Sequence, residues 1–173
     1  MGSEQGAGGS VPADGPSDED MAMMARCAAE LADMIEAVLG GWVERSVIAV
    51  ADAWRPGASV DLVEPAREAA REAVADVGAQ VRDLLESDVD LQHTGPLAVL
   101  RNAVQYPTAV LRDGGVPPVE RDRFTVDAFP ADVYDLSPAS FADIDPRLHE
   151  PGLVWGAAKA HVVLARRRAE GLR

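Results

Sequence analysis

The chain has 173 residues, with 16 Lys+Arg against 29 Asp+Glu and a net charge of −13. That balance excludes general nucleic-acid binding and a basic membrane-surface role, since both need a cationic face. A single cysteine, Cys27, excludes an internal disulfide and a cysteine-based zinc cluster.

Residues 1–18 (MGSEQGAGGSVPADGPSD) carry few side chains worth burying and read as a disordered acidic tail. They hold neither the basic nor the apolar region of a secretory signal. No window approaches the roughly 18 consecutive apolar residues of a membrane span, so a cytoplasmic protein is expected. Fifteen Arg against one Lys, with abundant Ala, Val and Gly, is the composition of a GC-rich bacterial genome.

A first helix opens at Ser17 or Asp18, where Glu19 and Asp20 favour the positive helix end. Met24, Cys27, Leu31, Ile35 and Val38 recur at steps of three and four, and Val43, Val47, Val50 and Trp54 continue the stripe beyond Gly40-Gly41. The glycine pair should weaken or end the helix, leaving either two helices or one kinked helix over 19–54, stopped by Arg55-Pro56-Gly57. The next helix is expected over 61–85, capped by Ser59 or Asp61, with Pro65 early and Glu64/Arg67 and Glu68/Arg71 as ion pairs. Val63, Ala70, Val74, Val77, Val81 and Leu84 form its stripe, and Glu68, Glu72, Asp76 and Asp83 its wet face. Residues 86–95, with a solvated His93, read as a connector.

Gly95-Pro96 starts a helix carrying Leu97, Leu100 and Val104, which Pro107 must interrupt or kink. Seven of the twelve prolines fall within 107–151. There the spacing predicts a helix over 118–128 and short helical turns begun by Ser137-Pro138 and Asp145-Pro146. Phe124, Phe129, Tyr134 and Phe141 should pin this wrap to the body. A last helix over 151–169 should bury Leu153, Ala157, Ala160 and Leu164, and end on Arg166-Arg167-Arg168. The fold class is all-α: a bundle of four to five helices over 19–170, with the proline-rich segment packed across it.

Few residues invite chemistry. Gly152, Gly156 and Lys159 lack the spacing of a phosphate loop, no Gly-x-Ser-x-Gly elbow occurs, and Cys27 sits on an apolar stripe. Asp143, Asp145 and His149, joined by Glu150 and the more distant His161, hold carboxylates and imidazoles that suit a divalent metal or acid–base work. The competing reading makes Asp145 a helix cap and Glu150 a first-turn acid. Trp42 and Trp54 read as core or core-edge anchors. Tyr106, Tyr134 and Trp155 are the candidate partner contacts, because aromatic side chains dominate binding hot spots. The stretch from Gln105 to Pro138 is aromatic, acidic and proline-punctuated, suited to a cleft or peptide groove, or simply to bending around a small bundle.

With no cofactor motif and helical seams rich in small apolar residues, the expected function is a non-catalytic regulatory or adaptor protein that binds another protein. Homodimerisation is open to it. The alternative is a small metal-binding protein or enzyme using Asp143, Asp145, His149 and His161.

Overall fold

The computed structural model describes residues 14–88 and 94–171. Most of the expected tail, and the whole of 89–93 with His93, lie outside the described residues. Among those described, every regular element is helical and no strand occurs.

Helix α1 runs from Asp18 to Trp54. Ser17 Oγ accepts from the Asp20 N–H at 3.1 Å while the Asp20 carboxylate accepts from the Ser17 N–H at 3.1 Å, a reciprocal capping box. At 37 residues it is roughly 55 Å long. It passes unbroken through Gly40-Gly41, so of the two expected arrangements it is the single helix that forms, and the pair does not end it. Two glycines cost about 1 kcal/mol each in a helix interior. Leu39, Trp42 and Val43, all buried around the pair, offset that cost through packing. A Cβ on Gly40 would stand 3.6 Å from both Ala70 Cβ and Val74 Cγ2, so the position lies where the second helix crosses closely.

That second helix opens with a 3₁₀ turn (Val60–Leu62), continues as α2 (Val63–Ala73), widens to a π-turn (Val74–Gly78) and ends as α3 (Ala79–Glu86). Ser59 holds the expected N-cap position, its carbonyl accepting from the Leu62 N–H at 2.9 Å, but its side chain caps nothing. Ser59 is turned back to α1 instead, its N–H and Oγ–H donating to the Asp52 carboxylate at 3.0 and 2.9 Å. Asp61 is exposed. Ala66, Ala69, Ala70, Ala73, Val77, Val81 and Leu85 are buried against α1 and its neighbours, whereas Leu84 is half-buried. The π-turn holds one extra residue, which moves the last core position from 84 to 85. Glu68, Glu72, Asp76 and Asp83 are exposed, as the wet face requires. Arg82 pins α3 to α1 by Nε–H to Glu36 at 2.7 Å and Nη2–H to Asp33 at 2.6 Å.

Helix α4 (Pro96–Leu100) passes through a 3₁₀ turn (Arg101–Val104) into α5 (Gln105–Asp113). The tight turn stands just before Pro107, whose missing N–H thereby falls in the first turn of α5. Beyond the turn at Gly115, where φ is +74°, the expected helix over 118–128 shortens to α6 (Arg123–Ala128), capped by Asp122. Residues 117–122 are irregular instead, and the Val119 N–H donates to the Val133 carbonyl at 3.2 Å. No residue of α6 is buried, and Phe124 is 81% exposed, so Phe124 pins nothing. Tyr134 does: it is buried, and its Oη–H donates to the Val116 carbonyl at 2.6 Å. Ser137-Pro138 starts no helix, because Ser140 caps α7 (Phe141–Ile144) three residues later. Asp145-Pro146 does start a 3₁₀ turn (Pro146–Leu148), which leads into α8 (His149–Ala169).

Helix α8 packs on α1, and its buried residues are Gly152, Trp155, Lys159 and Val162. This is the face opposite to the expected one: Leu153 is 62% and Leu164 50% exposed, and Ala157 and Ala160 are exposed between them. The stripe of leucines and alanines lost to a face that fits Phe141. A Cβ on Gly152 would come within 2.6 Å of the Phe141 ring, so glycine is what lets that ring lie on the helix.

Val77 is 1% exposed in the seam between the second helix and α1. Val77→Asp should therefore lower stability by at least about 3 kcal/mol in chemical denaturation, since the carboxylate gains no partner there. Asp83→Asn, on the wet face, should leave the midpoint unchanged.

Candidate functional site

The four acidic and imidazole candidates go to separate partners. The Asp143 carboxylate accepts from the Ala139 and Ser140 N–H groups at 2.8 and 2.9 Å, closing the start of α7. Buried Asp145 accepts from the Arg147 N–H at 2.9 Å and from its Nε–H and Nη2–H at 2.9 and 3.0 Å. Its carboxyl is held down at about 2 by the Arg147 side-chain and backbone hydrogen bonds. His149 is exposed at the first position of α8, and His161 lies about 18 Å further along the helix, its Nε2 3.3 Å from Asp20 of α1. Among the described residues no group of three or more His, Cys, Asp or Glu is placed to hold a metal ion.

The aromatic candidates divide by depth. Tyr134 and Trp155 are buried, and Trp155 Nε1 has no hydrogen-bond partner among the described residues. Tyr106 is half-buried, and its Oη–H donates to Asp76 at 2.6 Å. Burial first, and then Asp76, push the phenol up to about 12. Trp42 is buried, whereas Trp54 is 43% exposed at the end of α1, with the Arg55 guanidinium 4.8 Å from its ring centre. Trp54 is thus a surface residue rather than a core anchor.

The feature with the most chemistry lies between α5 and residues 128–137, a cleft of about 710 Å³. One wall is helical. Arg101, Gln105, Thr108 and Arg112 follow steps of four, three and four, so a single face of the 3₁₀ turn and α5 is polar. Asn102 and Gln80 add two carboxamides. The other wall is the proline-rich segment, held in shape by Asp132. That carboxylate is buried and accepts from the Leu136 and Ser137 N–H groups at 2.8 and 2.7 Å, so its charge is spent on the backbone.

Arg101 bridges the walls: its Nε–H donates to the Pro138 carbonyl at 3.0 Å, and its guanidinium lies 5.3 Å from the Phe129 ring centre. Arg112 is exposed and forms no ion pair among the described residues. Thr108 is buried in the wall, and its hydroxyl has no hydrogen-bond partner among the described residues. The arrangement offers guanidinium and amide N–H donors beside an aromatic ring, suited to carboxylates and extended backbone. A second hollow of about 520 Å³, beyond Tyr106, is lined by Glu68, Glu72 and Asp113 and has the opposite sign. Of the sequence candidates, the cleft takes in residues from both ends of the Gln105–Pro138 stretch. Arg101 and Arg112, which line the same wall, are not among the sequence candidates, although their steps of four, three and four with Gln105 and Thr108 mark one helical face.

A carboxyl lowered by folding stabilises above its ordinary value near 3.8 and loses that contribution as pH falls toward about 2. Asp145→Asn should therefore melt below the parent at neutral pH. The gap between the two melting temperatures should close as pH falls through that window, as followed by circular dichroism.

Comparison of the chain with protein families, with curated proteins and with solved structures finds no match.

Proposed function

We propose that this is a non-catalytic regulatory or adaptor protein of the cytoplasm that holds a short acidic segment of another protein in the cleft between α5 and residues 128–137. We read its body as one domain over 19–170, a bundle of four to five helices in which α2–α3 and α4–α5 each count as one. The observation that carries the reading is the cationic cleft wall in a chain of net charge −13: Arg112 forms no ion pair among the described residues, and Arg101 is stacked on Phe129.

The rest of the surface repels an acidic partner, yet this does not defeat the reading. The Debye length is about 10 Å at 0.1 M salt, so distant acids are screened while a carboxylate inside the cleft still meets both guanidiniums. The carboxamides of Asn102 and Gln105 supply donors and acceptors for an extended main chain, and Phe129 supplies an apolar contact. Partner choice then rests on where the acids fall along the bound segment, while the general negative field rejects unplaced polyanions.

The test is fluorescence anisotropy with two labelled peptides of equal length, one alternating Glu and Ala, the other Lys and Ala. The acidic peptide should bind and the basic one should not. Arg112→Ala should weaken binding by roughly tenfold or more, the scale of a hydrogen bond to a charged group. Equal binding of both peptides, binding of neither, or indifference to Arg112→Ala would overturn the reading.

A further inference from the structure

The cleft between α5 and residues 128–137 is a groove with a cation at each end. Arg101 opens the 3₁₀ turn and Arg112 lies in the last turn of α5, on the same polar face. A rise of about 2.0 Å per residue in the 3₁₀ turn and about 1.5 Å in α5 sets their Cα atoms roughly 18 Å apart along the wall. The facing wall runs the same way. Phe129 and Pro138 meet Arg101 at one end, and Val133 leads at the other to Tyr134, whose Oη–H donates to the Val116 carbonyl just past α5. Asp132 falls between these ends in the chain, so a further carboxylate is disfavoured in the middle of the groove.

Both ends hold unspent donors. Among the described residues Arg101 uses only its Nε–H, on Pro138, and Arg112 forms no ion pair. Thr108 stands one turn before Arg112 on the same face, 6% exposed and with its hydroxyl unpartnered among the described residues. Rotation about χ1 exchanges that hydroxyl with the methyl, and threonine uses two χ1 wells in a helix. Resting on the reading of the cleft as the seat of an acidic segment, we propose that it selects segments with two carboxylates six residues apart. Arg101 takes one, and Arg112 with Thr108 takes the other. In an extended strand side chains return to one side every second residue, and six residues span roughly 20 Å. In a polyproline II segment they return every third residue, and six span roughly 19 Å. Six residues therefore bring two acids to the same side in both forms and match the wall. A separation of five turns the acids to different sides, and a separation of two spans only roughly 7 Å.

Fluorescence anisotropy of the full chain tests this with labelled peptides of equal length. Each carries two glutamates in a neutral Gln-Ala-Ser background, separated by two, five or six residues, and the alternating Glu and Ala peptide is the control. The separation of six should bind at least roughly tenfold tighter than the other two, the scale of one more hydrogen bond to a charged group. Arg112→Ala should erase that preference, because one end alone reads no spacing. Thr108→Val keeps the shape of the side chain and removes the hydroxyl. It should weaken the six-residue peptide several-fold without lowering the melting temperature, since the hydroxyl it deletes is unpartnered in the free protein. No difference among the three separations while the control peptide binds would overturn the spacing rule and leave the cleft reading standing. Failure of the control peptide as well would overturn both. A preference for six that survives Arg112→Ala, or an affinity untouched by Thr108→Val, would overturn the assignment of Arg112 and Thr108 to one carboxylate.

Discussion

Everything in this molecule depends on one helix being wanted from several sides at once. Leu31, Ile35, Leu39, Val43 and Val47 of α1 are all fully buried, and α2, α3, α5 and α8 each contact that helix. Burying a side chain of this kind is worth roughly 1.5–3 kcal/mol, so the row outweighs the unfavourable propensity of Gly40-Gly41 several times over. The same demand explains why α2 is made of alanine where it crosses: a smaller side chain brings the two backbones closer around Gly40.

The proline-rich segment solves a different problem. Val116, Tyr134, Ile144 and Leu148 anchor it in the core, and between those anchors its shape comes from aspartates that accept main-chain N–H groups. Asp122, Asp132, Asp143 and Asp145 each do this, at Thr125, at Leu136 and Ser137, at Ala139 and Ser140, and at Arg147. Part of the negative charge is therefore architectural. Asp132 and Asp145 are buried, and both are satisfied by donors rather than left to face each other. Of the two only Asp132 lines the cleft, where Arg101 and Arg112 stand on the facing wall.

What was legible in the sequence follows from how much local pattern each decision contained. The stripes of α1 and of the second helix repeat over many turns, and only one arrangement buries them. The face of α8 is not decided by local pattern, because the helix has two candidate stripes, and the deciding contact is a distant one: the Phe141 ring fits over Gly152. The π-turn, the flip of Ser59 to Asp52 and the late cap at Ser140 likewise depend on tertiary partners that no local rule contains. The cleft was half legible. Its location lay in the Gln105–Pro138 stretch, but its charge needed Arg101 and Arg112 to be seen on one face with their hydrogen-bonding capacity unspent on acids.

The π-turn at Val74–Gly78 also marks the place where the second helix can change its length. A π-turn amounts to an α-helix with a single residue inserted and bulged aside, so that the turns before and after keep their bearing. The second helix can therefore lose one residue there and close to a regular α-helix with both halves still facing α1. A deletion elsewhere in Val63–Glu86 would turn everything beyond it by about 100° and carry Val81 and Leu85 toward water. Related chains one residue shorter should carry the gap within this turn, which makes it a natural point of alignment for tracing the descent of the fold.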